Sequence, residues 1–322
     1  MHAIRISATG GPEVMVWDDV PTPIPGTGEI LVTVAAAGVN YIDTYHRTGI
    51  YPMQLPFTPG LEGSGTVAAV GDAVAGFSVG DRVAWSSVIG SYAEEVVVPA
   101  EKAVPVPADV ELDVAAAAML QGMTAHYLAT STFPLRSGHR CLVHAGAGGV
   151  GRLLIQVAKL LGAEVYTTVS TDAKAELAAS AGADRVIHYT NEDFVAAVEA
   201  GAGERSLDVV FDGVGATTFD GGLSLLKPRG MMVLYGQSSG VVPPFDLGRL
   251  ATSGSLYVTR PTLFSYIAAR DELLRRSGEV FDWVAGGLVD VLIGHRWPLA
   301  EAAAAHRALQ ARATVGKVLL VR

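Results

Sequence analysis

Cysteine is almost missing from this 322-residue sequence, Cys141 being the only one. A single thiol excludes an intrachain disulfide and any structural zinc site built from several thiolates, and it fits a reducing, cytoplasmic setting. Long apolar runs are missing as well: glycine, proline or a charge interrupts each one before the roughly 18 residues of a membrane-spanning helix. The opening segment Met1-His2-Ala3-Ile4-Arg5-Ile6 alternates like a strand and lacks the basic start and apolar stretch of a secretory leader. A soluble protein without membrane contact is expected. Positive charge is in deficit, with 23 Lys and Arg against 32 Asp and Glu and a net charge of −9. That field repels phosphate backbones and acidic membranes, and no Lys/Arg cluster interleaved with aromatics offsets it, so nucleic acid is an unfavoured partner.

Half of the residues are apolar and 17% are charged, enough to bury a large core. A chain of this length predicts two domains with a ligand cleft between them. Residues 1–121 are cut by glycine and proline into short β-branched runs, Ile30 to Val34, Gly65 to Val70, Arg82 to Ala84 and Ala93 to Val98, the pattern of a small β-barrel. After Asp113 the text becomes alanine-rich and helical. From Cys141 on, apolar strands alternate with amphipathic helices, predicting a doubly wound parallel sheet over 122–261. Its six strands are expected at Cys141 to His144, Glu164 to Val169, Arg185 to His188, Asp208 to Phe211, Met231 to Tyr235 and Ser255 to Thr259. The tail, 262–322, reads as helices Ser265 to Arg275 and Leu299 to Arg312 and a strand Lys317 to Val321, and is expected to rejoin the first domain. The fold class is thus α/β, a Rossmann sheet plus a second, β-rich domain.

Between the first two strands of that sheet lies His144-Ala145-Gly146-Ala147-Gly148-Gly149-Val150-Gly151. Glycine lets the backbone turn tightly and approach a pyrophosphate, which then rests on the free N–H groups of a helix N-terminus. A glycine triplet alone is a weak signal in a chain with 37 glycines. Here a strand precedes it, a helix of about 12 residues follows, Gly162 stops that helix and a second strand begins at Glu164, the βαβ context a dinucleotide site requires.

The end of the second strand distinguishes the two nicotinamide cofactors. An NAD site usually places Asp or Glu there to bind the ribose hydroxyls, whereas this chain reads Val169-Ser170-Thr171. A hydroxyl in place of the acid leaves a 2′-phosphate unopposed, Lys174 supplies a cation one helical turn on, and Tyr189 follows the third strand. NADPH is therefore the expected cofactor, against the alternatives that Lys174 is an ordinary surface lysine and Asp172 a displaced ribose acid.

The chain resembles the zinc-independent NADPH:quinone oxidoreductases of the zeta-crystallin type, within the medium-chain dehydrogenase/reductase superfamily. The likeness spans essentially the whole length. It is carried by Gly38-Val39-Asn40-Tyr41-Ile42-Asp43, Gly49-Ile50-Tyr51-Pro52, Pro59-Gly60-Leu61-Glu62-Gly63-Ser64-Gly65, Gly122-Met123-Thr124-Ala125, Ala145 to Gly151, Gly236-Gln237-Ser238-Ser239-Gly240, Leu256 to Pro261 and Arg312 to Lys317. The resemblance implies a GroES-like catalytic domain. A homodimer joined by the nucleotide-binding domains is expected because Ser255-Leu256-Tyr257-Val258-Thr259 is an apolar strand that ends the sheet and would otherwise be an exposed edge. In zinc alcohol dehydrogenases of the wider superfamily a Cys stands where this chain has Asn40 and a His where it has Leu61. Leucine has no lone pair and an amide is a poor ligand, so catalytic zinc is not expected. His46 and His126 are read as packed or surface residues rather than substitute ligands.

The same resemblance implies that Asn40, Tyr45 and Tyr51 line the substrate cleft, with Thr124 and Tyr127 behind. It implies cofactor contacts from Gly148, Gly149 and Val150, from Tyr235, Gly236 and Ser238, and from Pro261 and Leu263. Ser170, Lys174, Tyr189 and Arg312 are expected at the 2′-phosphate. Gln121 departs from relatives that carry Lys there. Reduction of a small quinone needs two electrons and two protons, which a hydride from the nicotinamide and a proton from water together supply, and donors for a developing oxyanion; Asn40 with Tyr45 or Tyr51 are donors of the right type. An NADPH-dependent alkenal or enone double-bond reductase fits the same residues. A non-catalytic NADPH-binding crystallin or RNA-binding protein is the reading from a different class, and the acidic charge speaks against RNA.

Overall fold

The computed structural model describes all 322 residues and divides them into two compact units, Met1–Met123 with Ile267–Arg322, and Thr124–Tyr266. The first unit opens with β1 (His2–Ile6) and β2 (Met15–Asp19), an antiparallel pair. The long strand β3 (Glu29–Val39) then runs into the short helix α1 (Tyr41–Thr48). Strands β4 (Glu62–Val70), β5 (Arg82–Trp85), β6 (Glu95–Pro99) and β7 (Ala103–Pro105) follow, and helix α2 (Leu112–Tyr127) leads into the second unit. Glycine and proline keep these strands short, while β-branched residues fill them. The alternating inward faces bury Ile4, Ile6, Val32, Val83, Trp85 and Val98 without exposure. Each such large side chain contributes about 1.5–3 kcal/mol on burial.

The second unit is the predicted doubly wound sheet. Its elements are β8 (Arg140–Val143), α3 (Gly149–Leu160), β9 (Glu164–Val169), α4 (Asp172–Ser180), β10 (Arg185–His188), α5 (Phe194–Ala202), β11 (Leu207–Asp212), α6 (Phe219–Leu225), β12 (Leu226–Leu234), α7 (Gly248–Thr252), β13 (Tyr257–Thr259) and α8 (Leu263–Tyr266). The six strands lie in the order β10-β9-β8-β11-β12-β13, all parallel. The order reverses between β8 and β11, so the ends of these two strands form the switch point at which such sheets bind ligands.

The chain then re-enters the first unit with α9 (Arg270–Ala285), β14 (Ile293–Pro298), α10 (Ala302–Gln310) and β15 (Lys317–Val321). Strand β15 pairs antiparallel with β3 and parallel with β14, completing a seven-stranded sheet in the order β14-β15-β3-β4-β5-β7 with β6 on β3.

Three local expectations are corrected, and one strand, β14, was not expected. The helix expected over Ser265 to Arg275 is two, α8 and α9, and α9 continues to Ala285; the acidic pair Asp271 and Glu272 marks its first turn, and it buries Leu273, Val280 and Phe281. The helix expected from Leu299 to Arg312 begins as a 3₁₀ turn and ends at Gln310, with Arg312 in the left-handed region at φ 58°. Strand β14 is largely polar and gave no alternating apolar signal. Strand β13 is three residues long rather than five.

Candidate functional site

In the second unit the glycine-rich turn links β8 to α3. Gly148 is the N-cap of α3 and offers no capping side chain, so the first amides of the helix lack a side-chain acceptor. The turn is close-packed behind. A Cβ on Gly146 would lie 2.0 Å from Thr167 Oγ1, and one on Gly151 would lie 2.3 Å from the Ala145 carbonyl oxygen. The turn is tied to β9 by the Gly146 amide donating to the Thr168 carbonyl (3.1 Å) and the Ala145 amide to Thr168 Oγ1 (3.3 Å). Gly148, Gly149 and Val150 are half-exposed at this end, an uncapped helix start whose dipole favours a diphosphate.

The ends of β9 and β10 bring together three of the residues expected at a 2′-phosphate. Ser170 directly follows β9, and its carbonyl accepts from Thr190 Oγ1 (3.2 Å). Tyr189 follows β10, its amide donating to the Val169 carbonyl (3.1 Å), and its ring is exposed. Lys174 sits in the first turn of α4, where its amide donates to the N-cap hydroxyl of Thr171. Arg312 belongs to the other unit. Asp172 is exposed beside His188 rather than at the strand end.

At the switch point, Asp212 at the end of β11 organises the loop that follows. Its Oδ1 accepts from the amides of Val214 (2.7 Å) and Gly215 (3.0 Å), and its Oδ2 accepts from Thr218 Oγ1 (2.8 Å). Segment 235–239 folds onto this loop: the Gly236 amide donates to the Asp212 carbonyl and the Ser238 amide to the Gly213 carbonyl, both at 3.3 Å. A Cβ on Gly236 would lie 2.5 Å from the Gly213 oxygen, so the two loops touch through backbone. Burial raises the Tyr235 phenol, and the Asp212 carboxylate raises it further. Arg260 ties this wall to β12, donating to the Leu234 carbonyl (3.1 Å) and Gln237 Oε1 (3.4 Å), and Pro261 and Leu263 behind it are buried. Thr124 is buried on α2, and Tyr127 stacks on Tyr266 with ring centroids 4.2 Å apart. Asp212 and Arg260 escaped the sequence reading because most of their partners are backbone groups that only the fold supplies.

In the first unit, Asn40 ends β3 and opens α1. Its side chain is buried and held on both sides. Asn40 Nδ2 donates to Glu62 Oε1 (2.7 Å), while Oδ1 accepts from Lys317 Nζ (3.0 Å) and Gln121 Nε2 (3.2 Å). Lys317 and Glu62 form a buried ion pair. Burial draws the Lys317 ammonium down to about 7, opposed by the Asp43 carboxylate. Glu62 and Lys317 were missed as site residues. The signal available was a lone charge in an apolar strand, Glu62 amid glycines and Lys317 at the head of Val318 to Val321. Tyr45 and Tyr51 lie half-exposed, ring edge to ring face at 5.3 Å, and Tyr51 also meets His46 at 6.0 Å.

This donor set does not suit zinc. Both ends of the Asn40 amide are occupied by stronger partners, Leu61 is buried and apolar, and no group of three His, Cys, Asp or Glu side chains is placed to hold a metal. Cys141 is in β8 of the other unit, where burial raises its thiol.

Behind Asn40 runs a second buried network. Asp43 Oδ2 accepts from the Asn40 amide (2.8 Å) and the Tyr92 hydroxyl (2.9 Å); His306 Nε2 lies 3.2 Å from the same hydroxyl, and Arg47 Nη1 lies 3.0 Å from His306 Nδ1. Burial, then Arg47, lowers His306 from 6.5 to about 3, and burial raises Asp43 from 3.8 to about 6. A tenfold difference in proton affinity between the folded and unfolded chain is worth about 1.4 kcal/mol. As pH falls from 6.5 to about 3, His306 takes up its proton in the unfolded chain first, so it weakens the fold. Asp43 has the opposite sign between about 6 and 3.8, because the folded carboxyl is protonated first. The two contributions should nearly cancel in that window. We expect Asp43→Asn to make urea-unfolding stability fall by about 3 kcal/mol more than in the parent between about pH 6 and 4. Identical pH profiles for the variant and the parent would contradict the cancellation.

A β-rich unit paired with a six-stranded nucleotide-binding unit is the architecture of a medium-chain dehydrogenase or reductase. The chain matches the alcohol dehydrogenase GroES-like domain over residues 26–108 and the zinc-binding dehydrogenase domain over residues 149–275. It is 43% identical to a quinone oxidoreductase of Pseudomonas aeruginosa over 320 residues, 99% of this chain and 98% of that one. It is 40% identical to a 2-haloacrylate reductase of a Burkholderia species over 327 residues, with 99% and 98% covered. A solved mycobacterial protein complexed with NADPH is 48% identical, superposes with a TM-score of 0.97 and is covered in full, as is this chain. The chain belongs to the quinone oxidoreductase family of the medium-chain dehydrogenase/reductase superfamily.

Proposed function

We propose that this protein is an NADPH-dependent quinone reductase that works without zinc. The observation that carries the cofactor assignment is the uncapped start of α3 behind its glycine turn, together with Ser170, Lys174 and Tyr189 at the ends of β9 and β10 where an NAD site would carry an acid. Gly148, Gly149 and Val150 would hold the diphosphate. Tyr235, Gly236, Ser238, Thr124, Tyr127, Pro261 and Leu263 would form the nicotinamide wall. The bound cofactor supplies a hydride, and a quinone plus that hydride and one proton from water gives the hydroquinone. Quinone oxidoreductase relatives and a neighbour complexed with NADPH support this reading.

The protein's own part is to bind, orient and stabilise charge. The second N–H of Asn40 makes only a long contact to the Gly38 carbonyl (3.5 Å), and the half-exposed Tyr51 phenol is held by ring contacts, so both can donate to a quinone oxygen as it gains charge. Tyr45 packs Tyr51 in place. Likeness to a 2-haloacrylate reductase favours activated C=C bonds as the second reading, in which a tyrosine would donate the proton to carbon. A steady-state panel of quinones and enones with NADPH, run with and without a chelator, tests these assignments. Quinones turning over fastest, chelator or not, supports them; enones alone reacting, or loss of activity with zinc removal, overturns them.

Lys174→Ala is expected to weaken NADPH binding by about 1–2 kcal/mol in a fluorescence titration and to leave NADH binding unaltered. Equal effects on both cofactors would remove Lys174 from the phosphate site.

A cytoplasmic homodimer is part of the proposal. Strand β13 is paired on one side only, with β12, and leaves Tyr257 and Val258 exposed at the sheet edge. An open edge is covered when two copies pair across a twofold axis. Light scattering at micromolar concentration should give the mass of two chains, and a monomer would contradict it.

A further inference from the structure

We propose that Lys317 is a positioning residue for the reduction: with Glu62 it fixes which end of the Asn40 amide is presented as a donor. The proposal rests on the functional reading that Asn40 serves the substrate.

The two ends of a carboxamide are nearly the same size, so packing alone does not choose between them. Charge chemistry does. An ammonium only donates and a carboxylate only accepts. Lys317 Nζ stands 3.0 Å from Asn40 Oδ1, and Glu62 Oε1 stands 2.7 Å from Nδ2. Flipping the amide would set N–H against N–H at Lys317 and oxygen against carboxylate at Glu62. Gln121 Nε2 adds a second donor on the oxygen side at 3.2 Å. The three central groups are buried: Asn40 is 4% exposed, Lys317 1% and Glu62 0%.

The saturated oxygen has a chemical consequence. Two donors on Oδ1 draw electron density from the amide and strengthen its N–H groups as donors. One N–H is taken by Glu62. The other, which makes only the 3.5 Å contact to the Gly38 carbonyl, is the donor left for a ligand.

The fold makes room for the pair at a cost that stability alone does not explain. A Cβ on Gly38 would lie 2.1 Å from Glu62 Oε1, so β3 carries glycine beside the carboxylate. Glu62 Oε2 is fixed by the Leu120 amide of α2 at 2.7 Å. Well-packed apolar residues usually stabilise a core as well as a buried ion pair does. Here the pair has a third partner, the amide whose polarity it reads.

The sequence contains only two asparagines, Asn40 and Asn191, which makes the amide directly observable. In full-length protein labelled with [15N]asparagine, two side-chain NH2 pairs are expected, and Asn191→Ser assigns them. The Asn40 proton facing Glu62 should lie well downfield and exchange slowly with solvent. In Lys317→Met that pair should move toward the free-amide position. Quinone kcat should fall about tenfold, the scale of a lost supporting contact, while KM for NADPH stays within about twofold. Should the single variant fail to fold, Glu62→Gln/Lys317→Met carries the same expectations without a buried net charge. Unchanged Asn40 signals, or unchanged kcat with shifted signals, overturn the proposal. Full turnover in Asn40→Ala is a different failure: it removes Asn40 from the reaction, while the response of its amide to Lys317→Met still reports whether the lysine orients it.

Discussion

Replacing Gly151 by valine is expected to lower NADPH affinity about a hundredfold, or roughly 2.7 kcal/mol. The reason lies in the turn, not in lost flexibility. A Cβ at this position would lie 2.3 Å from the Ala145 carbonyl oxygen and 2.9 Å from its carbon, atoms that cannot yield without moving the turn itself. The start of α3 would shift away from the diphosphate, and the amide geometry that holds it would be lost. Because β8 and β9 pair over residues outside the turn, the sheet should survive. Circular dichroism near that of the parent, with NADPH binding lost in a fluorescence titration, is the expected pair of results. Parent-like affinity would mean that the diphosphate does not rest on this helix.

Glu62→Gln should cost about 3–5 kcal/mol in urea unfolding, because it leaves the Lys317 ammonium buried without its paired carboxylate. Adding Lys317→Met should restore most of that loss, since both charges are then gone and the methylene stem is kept. Such recovery in the double variant identifies the ion pair as the source of the loss. A double variant as unstable as Glu62→Gln would show instead that the carboxylate matters for the Leu120 amide or the packing near Gly38.

How much of this was legible follows the range of the interactions. The parallel sheet of the second unit is legible because its signals are local: the apolar strand before Ala145, the glycines of the turn and Gly162 at φ 79° after α3. The first unit was read as β-rich, but α1 was not foreseen, although Asn40 before it and Gly49 at φ 81° after it bound an eight-residue helix. Short helices held by such flanks carry little periodicity. The polar network was not legible. Lys317 meets Glu62 and Asn40 across sequence separations of 255 and 277 residues, and only the pairing of β15 with β3 and β3 with β4 sets them side by side. Naming Asn40 as a donor is accordingly incomplete: one of its N–H groups and its oxygen are already taken.

The most direct test of NADPH-dependent quinone reduction is a single-turnover experiment: the NADPH-loaded protein is mixed with excess 1,4-benzoquinone, and the loss of nicotinamide absorbance is followed. Stoichiometric loss in one phase is predicted, slowed in Tyr51→Phe and in Asn40→Ala without a matching change in NADPH affinity, and unaffected by chelator. Retention of the absorbance with every quinone, alongside rapid loss with an enone, would contradict it.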